Sequence, residues 1–120
     1  RISPMRSILN TGLHATSHTD APVALPNLMQ VVWATVNRTS RSGTVIGPDE
    51  RVTPYEAMKM ITLWGAEQFG EQAAKGSIEA GKLADLVVLS DNPVTMDPTR
   101  INQVQVLETI KEGRTVWVRR

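Results

Sequence analysis

No cysteine occurs among the 120 residues. Disulfide frameworks, thiolate metal sites and cysteine nucleophiles are therefore excluded. An excess of one charge sign is also missing: thirteen Lys and Arg face twelve Asp and Glu, for a net charge of +1. The basic residues are scattered, apart from Arg119-Arg120 at the end. That balance leaves no electrostatic footprint for nucleic acid or anionic lipid. No apolar run approaches the roughly 18–20 residues that a membrane span needs. Neither nucleic acid nor a membrane is an expected partner. The chain opens Arg1-Ile2-Ser3-Pro4, without an initiator methionine or a signal-peptide pattern. We read that start as a point inside a longer protein.

What is present is ordinary for a globular chain, at 41% hydrophobic and 21% charged residues. Ile2 to Asn10 has the character of a helix tail, with Thr11-Gly12 as its C-terminal stop. Leu13 to His18 suits a short buried strand, which leaves through Asp20-Ala21-Pro22 as a loop. From Pro26, placed in a first helical turn, Leu28, Val31, Val32, Thr35 and Val36 follow helical spacing. Thr53-Pro54-Tyr55-Glu56 predicts a helix start closed by a capping box. Its apolar face runs through Met58, Ile61, Trp64, Gly65 and Phe69. After Gly70 the pattern turns to strands: Leu83 to Leu89, Val104 to Ile110, and Thr115 to Val118 after a Glu112-Gly113 turn. The first part therefore reads as α/β units and the last fifty or so residues as all-β.

The informative segment is His14-Ala15-Thr16-Ser17-His18-Thr19-Asp20-Ala21-Pro22-Val23, although an aspartate at a strand end is by itself more often a turn former or a helix N-cap. Side chains alternate along a strand, so His14, Thr16 and His18 share a face that Asp20 continues. Two imidazoles and a carboxylate are odd for a core strand and natural for one whose end lines a site. In (β/α)8 barrels the reactive groups sit at the C-terminal strand ends. At the rise of a strand, His14 lies roughly 20 Å from Asp20, too far for one metal ion, whereas His18 lies roughly 6–7 Å away. His14 is accordingly read as structural.

The stretches around His18-Thr19-Asp20-Ala21-Pro22-Val23 and Gly76-Ser77-Ile78-Glu79-Ala80-Gly81-Lys82-Leu83-Ala84-Asp85-Leu86-Val87 together resemble the amidohydrolase superfamily. The likeness is to its amidohydrolase 3, or YtcJ-like, metal-dependent hydrolase group. Trp33-Ala34-Thr35-Val36-Asn37-Arg38, Arg51-Val52-Thr53 and Ile110-Lys111-Glu112-Gly113 extend it over essentially the whole chain.

The resemblance implies an α/β fold: the C-terminal fragment of a metal-dependent-hydrolase TIM barrel, then the C-terminal strands of a small composite β-sandwich. The last β/α units, with strand 8 and the following helices, would occupy residues 1–72, and the sandwich portion residues 73–120. It further implies that Asp20 is the catalytic carboxylate and a metal ligand, with His18 facing substrate or standing behind the ligands. The cofactor would be a divalent metal, zinc, as one or two ions whose other ligands lie outside this chain. The intact protein would hydrolyse non-peptide C–N bonds in small amide or formamide substrates, with the cytoplasm as the favoured compartment. Its partners would be the small-molecule substrate and the remainder of its own barrel, with a homo-oligomer also to be considered. Deamination or cyclic-amide opening, or a non-catalytic binding or assembly remnant, are the alternatives. Asp85, Trp33, Trp64, Met58 and Met60 are read as structural, and Glu67, Glu71 and Glu79 as solvated surface or turn residues.

Overall fold

The computed structural model describes residues 2–120. It contains four α-helices: α1 (Met5–Asn10), α2 (Leu28–Asn37), α3 (Pro54–Met60) and α4 (Leu63–Gln68). Three strands follow: β1 (Leu86–Leu89), β2 (Val106–Lys111) and β3 (Arg114–Val118). Short 3-10 turns at Pro48–Glu50 and Pro98–Gln103 complete the order. Among the described residues no helix is long and apolar enough to cross a membrane.

The helix boundaries follow from local chemistry. α1 stops where the Thr11 and Gly12 N–H groups fold back onto Ile8 and Leu9, with Gly12 at a φ of 81°. α2 begins later than the Pro26 signal suggested. Asn27 is the cap, its side chain accepting the Gln30 N–H at 3.2 Å, and the helix starts at Leu28. Its buried face also differs in phase from the expectation: Met29, Val32 and Val36 are covered, while Leu28 is 47% exposed. α2 ends at Arg38 with a φ of 56°, a left-handed conformation unusual for a side chain of this size. The Arg38 guanidinium offsets the strain by donating to the carbonyls of Ile46 (2.7 Å), Ser3 (2.9 Å) and Ile2 (2.6 Å).

The capping box expected at Thr53 is present. Thr53 Oγ1 accepts the Glu56 N–H at 3.2 Å, and Glu56 Oε2 accepts the Thr53 N–H at 2.7 Å. The helix it starts does not run through to Phe69, as the pattern suggested. It breaks at Ile61-Thr62, where the Thr62 hydroxyl donates to the Met58 carbonyl at 2.8 Å. Phe69 is left 79% exposed. The break admits Gly76 of the next loop. A Cβ built at Gly76, whose φ is 91°, would stand 2.8 Å from the Ala66 Cβ and 2.9 Å from the Leu63 Cα. That position has room for nothing but hydrogen.

The sheet runs β1-β2-β3, antiparallel throughout, with Leu86 opposite Ile110 and Thr109 opposite Trp117. Glu112 and Gly113 turn the hairpin with φ of 49° and 77°, the positive pair a tight two-residue turn demands. The core gathers Met29, Val32 and Val36 with Val52, Ala57, Met60, Trp64, Ile101 and Val104. Residues beyond position 73 are therefore packed into the same core as the helices. Two bonds fix that contact: Trp33 Nε1 donates to the Thr99 carbonyl at 2.8 Å, and Asn37 Nδ2 to that of Pro98 at 2.9 Å. Truncating Met60 or Ile101 to alanine should cost about 2–5 kcal/mol.

The strand expected over Leu13–His18 pairs with no other strand among the described residues. The backbone of a strand must place its N–H and C=O groups on neighbours. Here Ser17 donates its N–H to the Met60 carbonyl at 3.4 Å, so the segment leans on the α3 end instead.

α1 and α3 are joined across fifty positions by a two-pronged ion pair, Arg6 Nη1 to Glu56 Oε1 at 2.9 Å and Nη2 to Oε2 at 2.6 Å. The Arg6 guanidinium, against the opposing effect of burial and with help from Thr53, holds the Glu56 carboxyl down at about 2. A carboxyl lowered on folding stabilises the fold above its unfolded value of about 4.3 and ceases to do so as pH falls towards 2. After allowance for solvent at this partly exposed pair, the contribution is about 1–2 kcal/mol. Melts should therefore show wild-type stability falling between about pH 5 and pH 2, with Glu56→Gln less stable at neutral pH and flatter across that window. Parallel acid limbs in the two proteins would remove Glu56 from this role.

Candidate functional site

The segment from His14 to Val23 is anchored at one end and free at the other. His14 stacks on Trp64 with ring centroids 4.4 Å apart and pairs through Nδ1 with Glu67. Lys59 covers the same indole, its Nζ 4.6 Å from the Trp64 ring and 4.7 Å from that of Tyr55. Thr16 donates its hydroxyl to Gln68 at 2.7 Å. These contacts tie the start of the segment to α4 and commit His14 to packing, as its spacing suggested. Glu67, expected to be merely solvated, is the partner of His14, while Glu71 pairs with Lys75 and Glu79 with Lys82.

Beyond Ser17 the attachments among the described residues are internal. His18 and Asp20 are both exposed. The Asp20 N–H donates to His18 Nδ1 at 3.0 Å, and the Asp20 carbonyl accepts the Val23 N–H at 2.8 Å. The structure thus brings His18 and Asp20 together, through the aspartate's backbone rather than its carboxylate. Asp20 holds a φ of 52°. The left-handed region costs an L-residue about 1–2 kcal/mol, though aspartate tolerates it better than most. The turn leaves Asp20 exposed.

A hollow of about 420 Å³ opens beside the segment, lined among others by Ser3, Thr16, His18, Thr35, Arg38 and Thr39. Arg38 is spent on the three carbonyls already described. A larger, mainly apolar groove of about 1090 Å³ lies between Leu28, Met58, Ile61 and the sheet residues Val87, Val106 and Trp117. It includes no residue of the His14–Val23 segment.

Among the described residues no group of three or more His, Asp or Glu side chains could hold a metal ion. A catalytic metal site usually takes about three protein ligands. Asp20 is a suitable oxygen donor, and His18 Nδ1 is already occupied by the Asp20 N–H. Among the described residues, then, there is no complete site of that kind.

Other polar groups have structural work. The Asp85 carboxylate accepts the Glu112 N–H at 2.8 Å and the Lys111 ammonium at 3.2 Å, which fastens the hairpin turn to the start of β1. The Glu112 N–H, ahead of Lys111, draws the Asp85 carboxyl below its ordinary range. Sequence reasoning missed two residues. Glu50 is only 7% exposed and accepts both the N–H (2.8 Å) and the hydroxyl of Ser7. Arg6 reaches the carboxylate of Glu56. Neither has a local signature, because each partner lies more than forty positions away.

The profile of the Amidohydrolase family matches residues 1–117. N-substituted formamide deformylase of Arthrobacter pascens is 35% identical over 113 residues, covering 94% of this chain and 21% of the relative. The YtcJ protein of Bacillus subtilis is 25% identical over 115 residues, covering 93% and 22% respectively. The chain thus spans about a fifth of the length of these curated relatives. An amidohydrolase from Thermotoga maritima superposes with a TM-score of 0.67 at 26% identity, over 96% of this chain and 26% of that one.

From the ligand count, the 120-residue chain alone should retain no stoichiometric divalent metal after dialysis and should turn over no amide substrate. Elemental analysis of the purified chain checks this. One tightly held zinc per chain would show that its own residues complete a site.

Proposed function

Because the chain belongs to the amidohydrolase family, we propose that the full-length protein is a metal-dependent hydrolase of non-peptide C–N bonds in small amide or formamide-type molecules. In this reading residues 1–72 close a (β/α)8 barrel and residues 73–120 contribute strands to a β-sandwich. The observation that carries the proposal is the family match running through Asp20, with Asp20 held on an exposed bend at the free end of an otherwise anchored segment. The formamide chemistry is suggested by the relative named a formamide deformylase.

The chemistry asks for a base beside the attacking water and an acid beside the departing nitrogen. Asp20 supplies both in turn. Its carboxylate takes a proton from water as the oxygen adds to the carbonyl carbon, and the resulting carboxylic acid returns that proton to nitrogen as the C–N bond breaks. Amide and water then become carboxylic acid and amine, with nothing left over. A divalent ion, zinc in this reading, would supply the Lewis acidity that makes water a nucleophile near neutral pH, with Asp20 as one of its oxygen donors. The remaining donors would come from the portion of the protein outside this chain. His18 stands beside Asp20 and lines the adjoining hollow.

In the full-length enzyme, Asp20→Asn keeps shape and one oxygen donor but removes the base. Its kcat should fall by about 10²–10⁴-fold, with metal content reduced much less. Asp85→Asn is the control, expected to lower the melting temperature and leave kcat per folded molecule nearly unchanged. An Asp20→Asn enzyme that keeps most of its kcat would sink the assignment. So would a greater loss of kcat from Asp85→Asn.

A further inference from the structure

We propose that His18 is a positioning residue that acts through Asp20: its Nδ1 holds the aspartate's backbone in the left-handed bend and so sets where the carboxylate points. The inference rests on the reading of Asp20 as the catalytic carboxylate. Three observations carry it. The Asp20 N–H donates to His18 Nδ1 at 3.0 Å. Asp20 sits at a φ of 52°, so its conformation must be held by something. Finally, Thr16 and Ser17 fasten the chain just ahead of His18 to Gln68 and Met60, giving the imidazole a fixed base from which to hold the next bend.

The contact also assigns the ring's tautomer. A nitrogen that accepts from an N–H bears no proton, so the neutral His18 ring carries its hydrogen on Nε2. Nδ1 is then closed to a metal or a substrate, and Nε2–H is the group the ring has left to offer. His18 thus differs from a metal ligand, which would need a free lone pair, and from a general base acting through Nδ1.

Three substitutions separate these roles in the full-length protein. Asparagine places its Oδ1 where imidazole places Nδ1, one bond from Cγ. Glutamine carries its acceptor one bond further out, and alanine has none. His18→Asn should keep most of kcat, whereas His18→Gln and His18→Ala should each lose about 10–100-fold, the range typical when a supporting partner of a catalytic group is removed. KM and metal content should change little, since a positioning residue touches neither substrate nor metal. On an Asp20→Asn background, His18→Ala should add almost no further loss, because both changes disable one group. Nitrogen-15 spectra of histidine-labelled full-length protein should show His18 with its proton on Nε2.

A His18→Asn enzyme as damaged as His18→Ala, full activity in all three variants, or a proton on Nδ1 would overturn the assignment. The underlying reading fails separately, by Asp20→Asn retaining its kcat. An inactive Asp20→Asn enzyme beside three fully active His18 variants would leave that reading standing and remove only this one.

Discussion

One carboxylate, that of Glu56, sets the frame on which the rest is hung. Its two oxygens take four donors: Arg6 twice, and the N–H and hydroxyl of Thr53. The Thr53 bonds begin α3, and the Arg6 bonds lock α1 against it. A local signal for starting a helix is thereby converted into a long-range tie. The stretch between the two helices has to leave α1, pass His14 to Asp20, and return through α2 with its ends already fixed. Charge-assisted bonds of this kind are worth roughly twice a neutral one, and their geometry is exacting.

Within that frame the candidate site is a gradient of attachment. Its beginning is held by a stacked indole, a His14–Glu67 hydrogen bond and a hydroxyl bond; its end is held by a backbone turn and one imidazole. Such an arrangement suits chemistry at a rim. The scaffold supplies rigidity where the chain enters, and leaves a carboxylate uncovered where other parts of a larger protein could approach it. The neighbouring core, built round Val32, Met60 and Ile101, contains none of the reactive groups. Met60 joins the two, since its carbonyl also accepts the Ser17 N–H one residue before His18.

What could be read beforehand depended on how far away the cause lay. Thr53 and Glu56 are three positions apart, and the capping box follows from them alone. Glu112 and Gly113 likewise determine their own turn. α2 was legible as a helix, but its buried face only in part, at Val32 and Val36, because the 3-10 turn carrying Ile101 decides which side is covered. The Thr62 break is invisible without Gly76, which arrives from fourteen positions later to fill it. Glu50 looks like any loop carboxylate until Ser7 closes over it. His14 could be set apart from Asp20 by spacing alone. The role proposed for Asp20 could not be obtained that way, since a single aspartate after a strand is usually a turn former. Only the likeness of the surrounding run to a family pointed to chemistry.

Gly76 bears on how this chain can vary over generations. The loop from Glu71 to Ala84 closes on itself through the Leu83 N–H and the Ala74 carbonyl, with Lys75 tied to Glu71 and Lys82 to Glu79. Its tip around Ile78 is 88% exposed. Two residues earlier the chain is crowded instead. Any side chain at position 76 must push Leu63 and Ala66 aside, and with them the start of the helix that carries Trp64 and Glu67, the seat of His14. At that position any lineage is confined to the one residue without a side chain.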